Sequence, residues 1–343
     1  MSHPEEGAPS HARLVELSMS VLLAKALYAV AERGIPDRLA AGPLSSAELA
    51  EAAGVQPGAL HQVLRALSGI GVFTEDVDGC FALTPVGATL QEGHPSAARE
   101  FVLTLGGPAL WQAMGAFSEV LATGHTGMEL AHGMPLFDYL QKHPDEGVAF
   151  NRMMLAVHGT EPAAVAEAYD FSGVRRLVDV GGGIGTMLVN ALGRNRHLAG
   201  VLFDLPSVVD QGRAVIADAG LTDRCDFVTG DFFDSVPSGG DAYLLSHIIH
   251  DWGEDDCLRI LGNCRQAMGP EGRLLIVEMV LPPGDEAHPG KILDLAMLCL
   301  VGGQERTAAE YDELLGQAGF RLERVVPTDS PVSVVEAVPD AAG

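Results

Sequence analysis

Leu177-Val-Asp-Val-Gly-Gly-Gly-Ile-Gly185 reads as an apolar strand running into a glycine turn and a helix, and nineteen residues later Asp204 closes a second apolar run, Val201-Leu-Phe-Asp-Leu-Pro206. Glycines at 181, 183 and 185 let the backbone turn tightly and approach a ligand closely. A carboxylate ending the next strand can accept both hydroxyls of a ribose. Together they lay out an adenosine-type cofactor site. Position 186 is Thr, whereas a dinucleotide fingerprint wants its last glycine there so that the helix N-terminus can hold a pyrophosphate. The Gly-x-Gly-x-Gly form therefore points to a cofactor without phosphates, such as S-adenosylmethionine.

Working outward, strands and helices alternate: strand 177–180, helix 186–193, strand 200–203, helix 207–218, strands 225–228 and 242–246, helix 254–267 and strand 273–278. That alternation predicts an α/β fold with a mostly parallel, Rossmann-like sheet covered on both faces. Gly269-Pro270 stops one helix and Thr307-Ala-Ala-Glu310 caps another, and two strands near 321–326 and 333–338 are expected to close the sheet antiparallel. In open sheets of this kind ligands bind beyond the carboxyl ends of the strands. Gly181, Asp204, the Asp231-Phe232 pair, His250 and Glu278 all fall there, each from a different segment.

Each has a chemistry and a plainer alternative. Asp231 can accept from an adenine amino group while Phe232 covers the base, or the two are a turn cap and a core ring. His250, after a buried strand and before the acidic helix start Glu254-Asp-Asp256, is the candidate base. A phenol with a pKa near ~10 is a poor nucleophile until an imidazole, ordinarily near ~6.5, removes its proton. His247 is its rival. The two histidines at i, i+3 could also share a metal, but no third ligand stands at a clear spacing, so no metal is expected.

Before the glycine turn the chain is different. Leu44–Gly54 and Pro57–Gly71 read as two helices, the first capped, followed by a hairpin over 72–83. This winged-helix-like order would suit a DNA reader, yet Arg65 is its only strong base against Glu48, Glu51, Glu75, Asp76 and Asp78. Dimer contacts are the better use. The helix over 14–31 is broadly apolar but carries Glu16 and Lys25, which leaves it short of a membrane span and predicts burial against a second subunit. Residues 97–169 read as helical, with Trp111, Phe117, Phe150, Met153 and Met154 at helix-compatible spacings that suit a core or a pocket. The domains expected are a dimerisation domain over 1–100, a helical linker contributing to the substrate pocket over 101–170, and a cofactor-binding catalytic domain over 171–343.

Composition narrows the partners. The 343 residues are 47% hydrophobic, enough for sizeable cores, and a net charge of −25 repels nucleic acid and anionic membranes. Five scattered cysteines fit a reducing cytosol, and Met1–Ser10 is polar and acidic, without signal-peptide form, so a cytoplasmic location is expected.

The ordered set Val178-Asp-Val-Gly-Gly-Gly183, Phe203-Asp-Leu-Pro206, Gly230-Asp-Phe232, His250-Asp-Trp252 and Gly302-Gly-Gln-Glu-Arg-Thr307 resembles the S-adenosylmethionine-dependent small-molecule O-methyltransferases, both the plant caffeate and flavonoid type and the bacterial antibiotic-tailoring type. The resemblance covers most of the chain. It implies His250 as catalytic base flanked by Glu278 and Glu305, and Gly181, Gly183, Asp204, Asp231 and Phe232 as cofactor contacts. Glu305 beside Arg306 could equally be half of an ion pair. Plant relatives commonly carry Lys four residues before the base, where this chain has Ser246, so that cofactor contact shortens or is lost. Trp111, Met154, Met297 and Leu300 suggest an apolar, aromatic or polyketide-like acceptor bound by a homodimer. An N- or C-methyltransferase, or a relative that binds the cofactor for a non-methylating reaction, is the alternative.

Overall fold

The computed structural model describes residues 10–340, so Met1–Pro9, on which the signal-peptide expectation rests, lie outside the described residues. The described residues divide into two compact units, one running up to Ser118 and including Gly127–Gly159, the other comprising Glu119–Thr126 and the chain from Thr160 onward.

The first unit opens with the helix Ser10–Glu32. Its apolar side chains Leu14, Val15, Leu17, Met19, Val21 and Leu22 are exposed, and only its end, at Val30 and Ala31, is buried. Contrary to the expectation above, His11–Glu32 is long and apolar enough to cross a membrane by length and composition alone. Ser45 caps the helix Ser46–Ala53 through a reciprocal pair with Glu48, and Gly54, at φ 66°, ends it. The helix Pro57–Ser68 and the strands Phe73–Glu75 and Cys80–Leu83 follow in the order read from the sequence. Leu49, Leu64, Leu67, Phe73 and Phe81 form the core beneath them. Short helices fill the rest of this unit, from Ala98–Leu105 to Pro144–Val157.

The second unit carries the sheet. Its elements are α1 (Glu161–Ala168), β1 (Arg176–Val180), α2 (Thr186–Arg194), β2 (Ala199–Asp204), α3 (Pro206–Asp218), β3 (Cys225–Thr229), β4 (Ala242–Ser246), α4 (Glu254–Ala267), β5 (Arg273–Glu278), α5 (Gly290–Leu300), α6 (Ala308–Gln317), β6 (Phe320–Pro327) and β7 (Ser333–Pro339). The seven strands lie in the order β6-β7-β5-β4-β1-β2-β3. Pairing is parallel from β5 across to β3, and antiparallel where β7 joins β5 and β6 joins β7.

Side-chain alternation explains why the strands read as continuous apolar runs. Val178, Val180, Leu245 and Ile276 pack with Ile260, Leu261, Leu314 and Leu315 of α4 and α6. Leu177, Leu244, Leu275 and Val277 pack on the other face with Leu188, Leu192 and Ile216 of α2 and α3. Both faces are covered, so the period of two leaves no polar stripe. The chain runs from β1 to β2 and β3 in one direction, then returns to β4 on the other side of β1. That reversal opens a crevice at the carboxyl ends of β1 and β4, where loops leave in opposite directions.

Candidate active site

Beyond β1 the backbone enters the left-handed region at Gly181 (φ 68°), Gly183 (φ 57°) and Gly185 (φ 84°). The amides of Gly181 and Gly182 donate to the Phe203 carbonyl at 2.9 and 3.2 Å, locking the turn onto β2. A side chain at Gly181 would begin 2.6 Å from Ile248 Cδ1, and one at Gly182 2.7 Å from the Asp179 carboxylate. The turn is thus close-fitting from below, as a site that brings backbone against a ligand requires.

Asp204 ends β2 half-buried. Gly183 N–H donates to its Oδ2 at 2.8 Å and Leu205 N–H to its Oδ1 at 2.7 Å. Burial raises its pKa, and those two backbone donors oppose the rise. Each oxygen keeps a further lone pair, which fits a ribose diol. Past β3, Asp231 is exposed, and its Oδ1 accepts from Phe233 N–H at 2.8 Å, so the turn-capping role is realised. The Phe232 ring packs against Phe233 and Trp252, and its Cε1 would lie 3.3 Å from a β-carbon at Gly181. A carboxylate, a close-fitting glycine turn and an aromatic ring thus stand at the mouths of neighbouring strands.

Across the crevice, Ser246 is the last residue of β4, and the turn Ile249–Asp251 that follows holds His250. The imidazole is buried at 5% exposure. Its Nδ1 lies 2.7 Å from Glu305 Oε1, and its Nε2 is 3.6 Å from Asp251 Oδ1. Burial alone would lower its pKa. The Glu305 hydrogen bond and the charges of Glu278, Asp251 and Glu305 outweigh that and raise it to about 10. Burial raises the Glu305 carboxyl in turn, against the pull of His250.

The two acids divide their work. Glu305 holds the ring, whereas Glu278 Oε1 accepts from the His250 backbone N–H at 3.1 Å and its Oε2 accepts from the Tyr311 hydroxyl. Glu278 therefore fixes the main chain that carries His250 rather than the imidazole itself. Glu305 is steadied by its own N–H, which donates to Asp294 Oδ1 at 2.8 Å. Its neighbour is not its ion-pair partner: Arg306 is buried and donates to the Ile249 carbonyl at 3.2 Å and the Gln304 carbonyl at 3.3 Å. Gly303 lets this loop pass His250, since a β-carbon there would fall 1.9 Å from the His250 carbonyl oxygen. His247, the rival base, has its Nε2 on Glu161 Oε2 at 2.7 Å.

The structure thus brings His250, Glu278 and Glu305 together, and Gly181, Gly183, Asp204 and Phe232 along one rim. Of the candidate acceptor contacts, Met297 and Leu300 lie on α5, half-buried and buried. Trp111 and Met154 belong to the first unit, where Lys25 Nζ sits 3.7 Å above the Trp111 ring and Met154 is half-buried.

Sequence reasoning missed several groups. Asp179, inside β1, is fully buried, and neither carboxylate oxygen has a hydrogen-bond partner among the described residues. Burial and the charge of Asp204 push its pKa up to about 8. A lone acid between Val178 and Val180 was the available signal. Tyr311, Asp294 and Glu161 gave none, because each meets its partner only across the fold.

A family model described as an O-methyltransferase domain matches residues 116–321, and one described as an O-methyltransferase dimerisation domain matches residues 15–93. The chain is 41% identical over 331 residues to the phenazine O-methyltransferase PhzM of Lysobacter antibioticus, covering 96% of this chain and 97% of that one. It is 37% identical over 338 residues to the 8-amino-8-demethylriboflavin N,N-dimethyltransferase of Streptomyces davaonensis, covering 97% and 96%. Among solved structures, the SAH-bound form of CalO1, a methyltransferase in calicheamicin biosynthesis, superposes with a TM-score of 0.83 at 37% identity, covering 98% of this chain and 100% of that one. These likenesses establish that the chain belongs to the S-adenosylmethionine-dependent O-methyltransferases.

Proposed function

We propose that the enzyme methylates a phenolic hydroxyl of a small, apolar natural-product-like acceptor, with His250 as general base. The observation that carries this reading is the 2.7 Å contact between His250 Nδ1 and Glu305. A carboxylate there holds the Nδ1 proton and leaves Nε2 to act. S-adenosylmethionine supplies an electrophilic sulfonium methyl, and Asp204, the close-fitting glycine turn at Gly181 and Gly183, and Phe232 are the groups assigned to hold its adenosyl part. Nε2 takes the hydroxyl proton as the oxygen–methyl bond forms and the sulfur–methyl bond breaks. Glu305 balances the charge of the imidazolium that results. The negative charge of Glu305 strengthens the hold of the ring on the proton it takes up. No step needs a metal.

His250→Ala is the direct test. Turnover on a phenol should fall by roughly 10²- to 10⁴-fold, while calorimetry shows S-adenosylhomocysteine bound as before. A variant with unimpaired turnover removes His250 from the chemistry. Met297 and Leu300, with Trp111 and Met154 by resemblance, are assigned to the acceptor. Transfer to an amine is the second reading, favoured by the N-methylating relative above. Mass spectrometry and NMR of products from a panel of phenols and arylamines separate the two.

The same reading makes the enzyme a cytoplasmic homodimer joined through residues 15–93 and away from nucleic acid and membranes. The exposed apolar side of Ser10–Glu32 and the net charge of −25 support it. Light scattering on the wild type and on Leu17→Glu/Leu22→Glu should give a dimer and a monomer. A monomeric wild type refutes the assembly.

A further inference from the structure

A buried acid and a strained histidine beside the base are left without a role by the mechanism above. His247 follows β4 at φ 53°, in the left-handed region, which only one other non-glycine among the described residues, Ala97, also enters. Such strain in a bulky residue costs of order ~1 kcal/mol or more and concentrates where function demands a direction. The ring is turned onto Glu161, the first residue of α1, with Nε2 and Oε2 2.7 Å apart. Glu161 is 3% exposed, and burying a carboxylate is costly even when it is paired. The His247 and His250 rings lie 5.2 Å apart, centroid to centroid.

Strand order says what belongs there. β4 and β2 flank β1, and β3 lies beyond β2. With the ribose on Asp204 at the end of β2 and the base near Phe232 beyond β3, the adenosyl part occupies the β2–β3 side. The donor's sulfur bears three arms. One leads to the ribose, the methyl faces His250, and the third, an aminobutyrate carrying one ammonium and one carboxylate, is left with the β4 side of the crevice. Glu161 and His247 stand at that side, with His158 in the same cluster, and offer that zwitterion a carboxylate acceptor and an imidazole donor.

We infer that Glu161 and His247 recognise the α-amino-acid end of the donor, Glu161 accepting from the ammonium and His247 donating to the carboxylate. The inference rests on the adenosyl placement proposed above. Calorimetry with two ligands separates the two ideas: S-adenosylhomocysteine, which has the amino-acid arm, and 5′-methylthioadenosine, which lacks it. The wild type should prefer the first by about tenfold or more. In Glu161→Gln, and in His247→Asn, which tolerates the left-handed backbone, that ratio should fall toward one while methylthioadenosine affinity stays at the wild-type value. Retention of the wild-type ratio in both variants overturns the inference. Methylthioadenosine that fails to bind the wild type, or that binds Asp204→Ala equally well, overturns the adenosyl placement and the inference with it.

Discussion

Glu336 on β7 and Glu305 in the loop before α6 are both shielded from solvent in the same unit, and their neighbours treat them in opposite ways. Glu336 accepts from Arg273 Nη1 at 2.5 Å, Arg324 Nε at 2.6 Å and the Tyr169 hydroxyl at 2.9 Å. Burial would raise its pKa, but those donors prevail and the net shift is downward. Glu305 has His250 on one oxygen, while Oε2 has no hydrogen-bond partner among the described residues, and its pKa shifts upward. A saturated carboxylate fastens the fold. One left partly satisfied keeps free energy in reserve that a change of charge on its partner can draw out. Depth alone does not distinguish these two acids; the number of donors does.

Charge removal at the two sites should therefore produce different deficits. Glu305→Gln is expected to cut kcat by about tenfold to a thousandfold, because the imidazolium formed during transfer loses its counter-charge. It also removes the chief cause that raises His250. The wild-type kcat/KM should climb with pH between the ordinary imidazole range and about 10, since only the neutral ring can accept the proton, and in Glu305→Gln that limb should move to lower pH. A limb that stays in place shows that Glu305 does not set the pKa of the base.

Glu336→Gln should leave kcat per folded molecule unchanged and lower stability by about 1–3 kcal/mol in urea melts, a modest loss because Arg273 and Arg324 are partly solvated. Equal activity losses in the two Gln variants would erase the contrast.

Asp179 tests an extreme, a carboxyl with no hydrogen-bond donor among the described residues. Its folded pKa of about 8 lies above the unfolded value near ~3.8, so the native state is favoured below that lower value and loses ground as pH rises through 8. Asp179→Asn should flatten this decline. Melting temperatures at pH 5 and pH 8.5 measure it, and an undiminished decline in the variant assigns the pH dependence elsewhere.

Much of the frame could be read in advance because it is local. The glycine turn, the caps at Ser45 and Thr307 and the apolar strand runs follow from backbone sterics and side-chain period, and each expected strand of the sheet appears within a residue or two. The helix Ser10–Glu32 shows where such reading is weak. Its composition serves equally for a span, a core or a subunit contact, and the choice lies outside the segment.

The order of residues along the chain, by itself, settled the fold class and which strand ends carry polar groups, since those depend on neighbours a few positions apart. Only the tertiary structure decided that Glu305 takes the ring of His250 while Glu278 takes its backbone, that Arg306 turns to the Ile249 carbonyl, and that Glu161 meets His247. These pairings join residues up to 86 positions apart, and which donor reaches which acceptor depends on how the strands and loops pack, a matter of distance in space that sequence spacing does not encode.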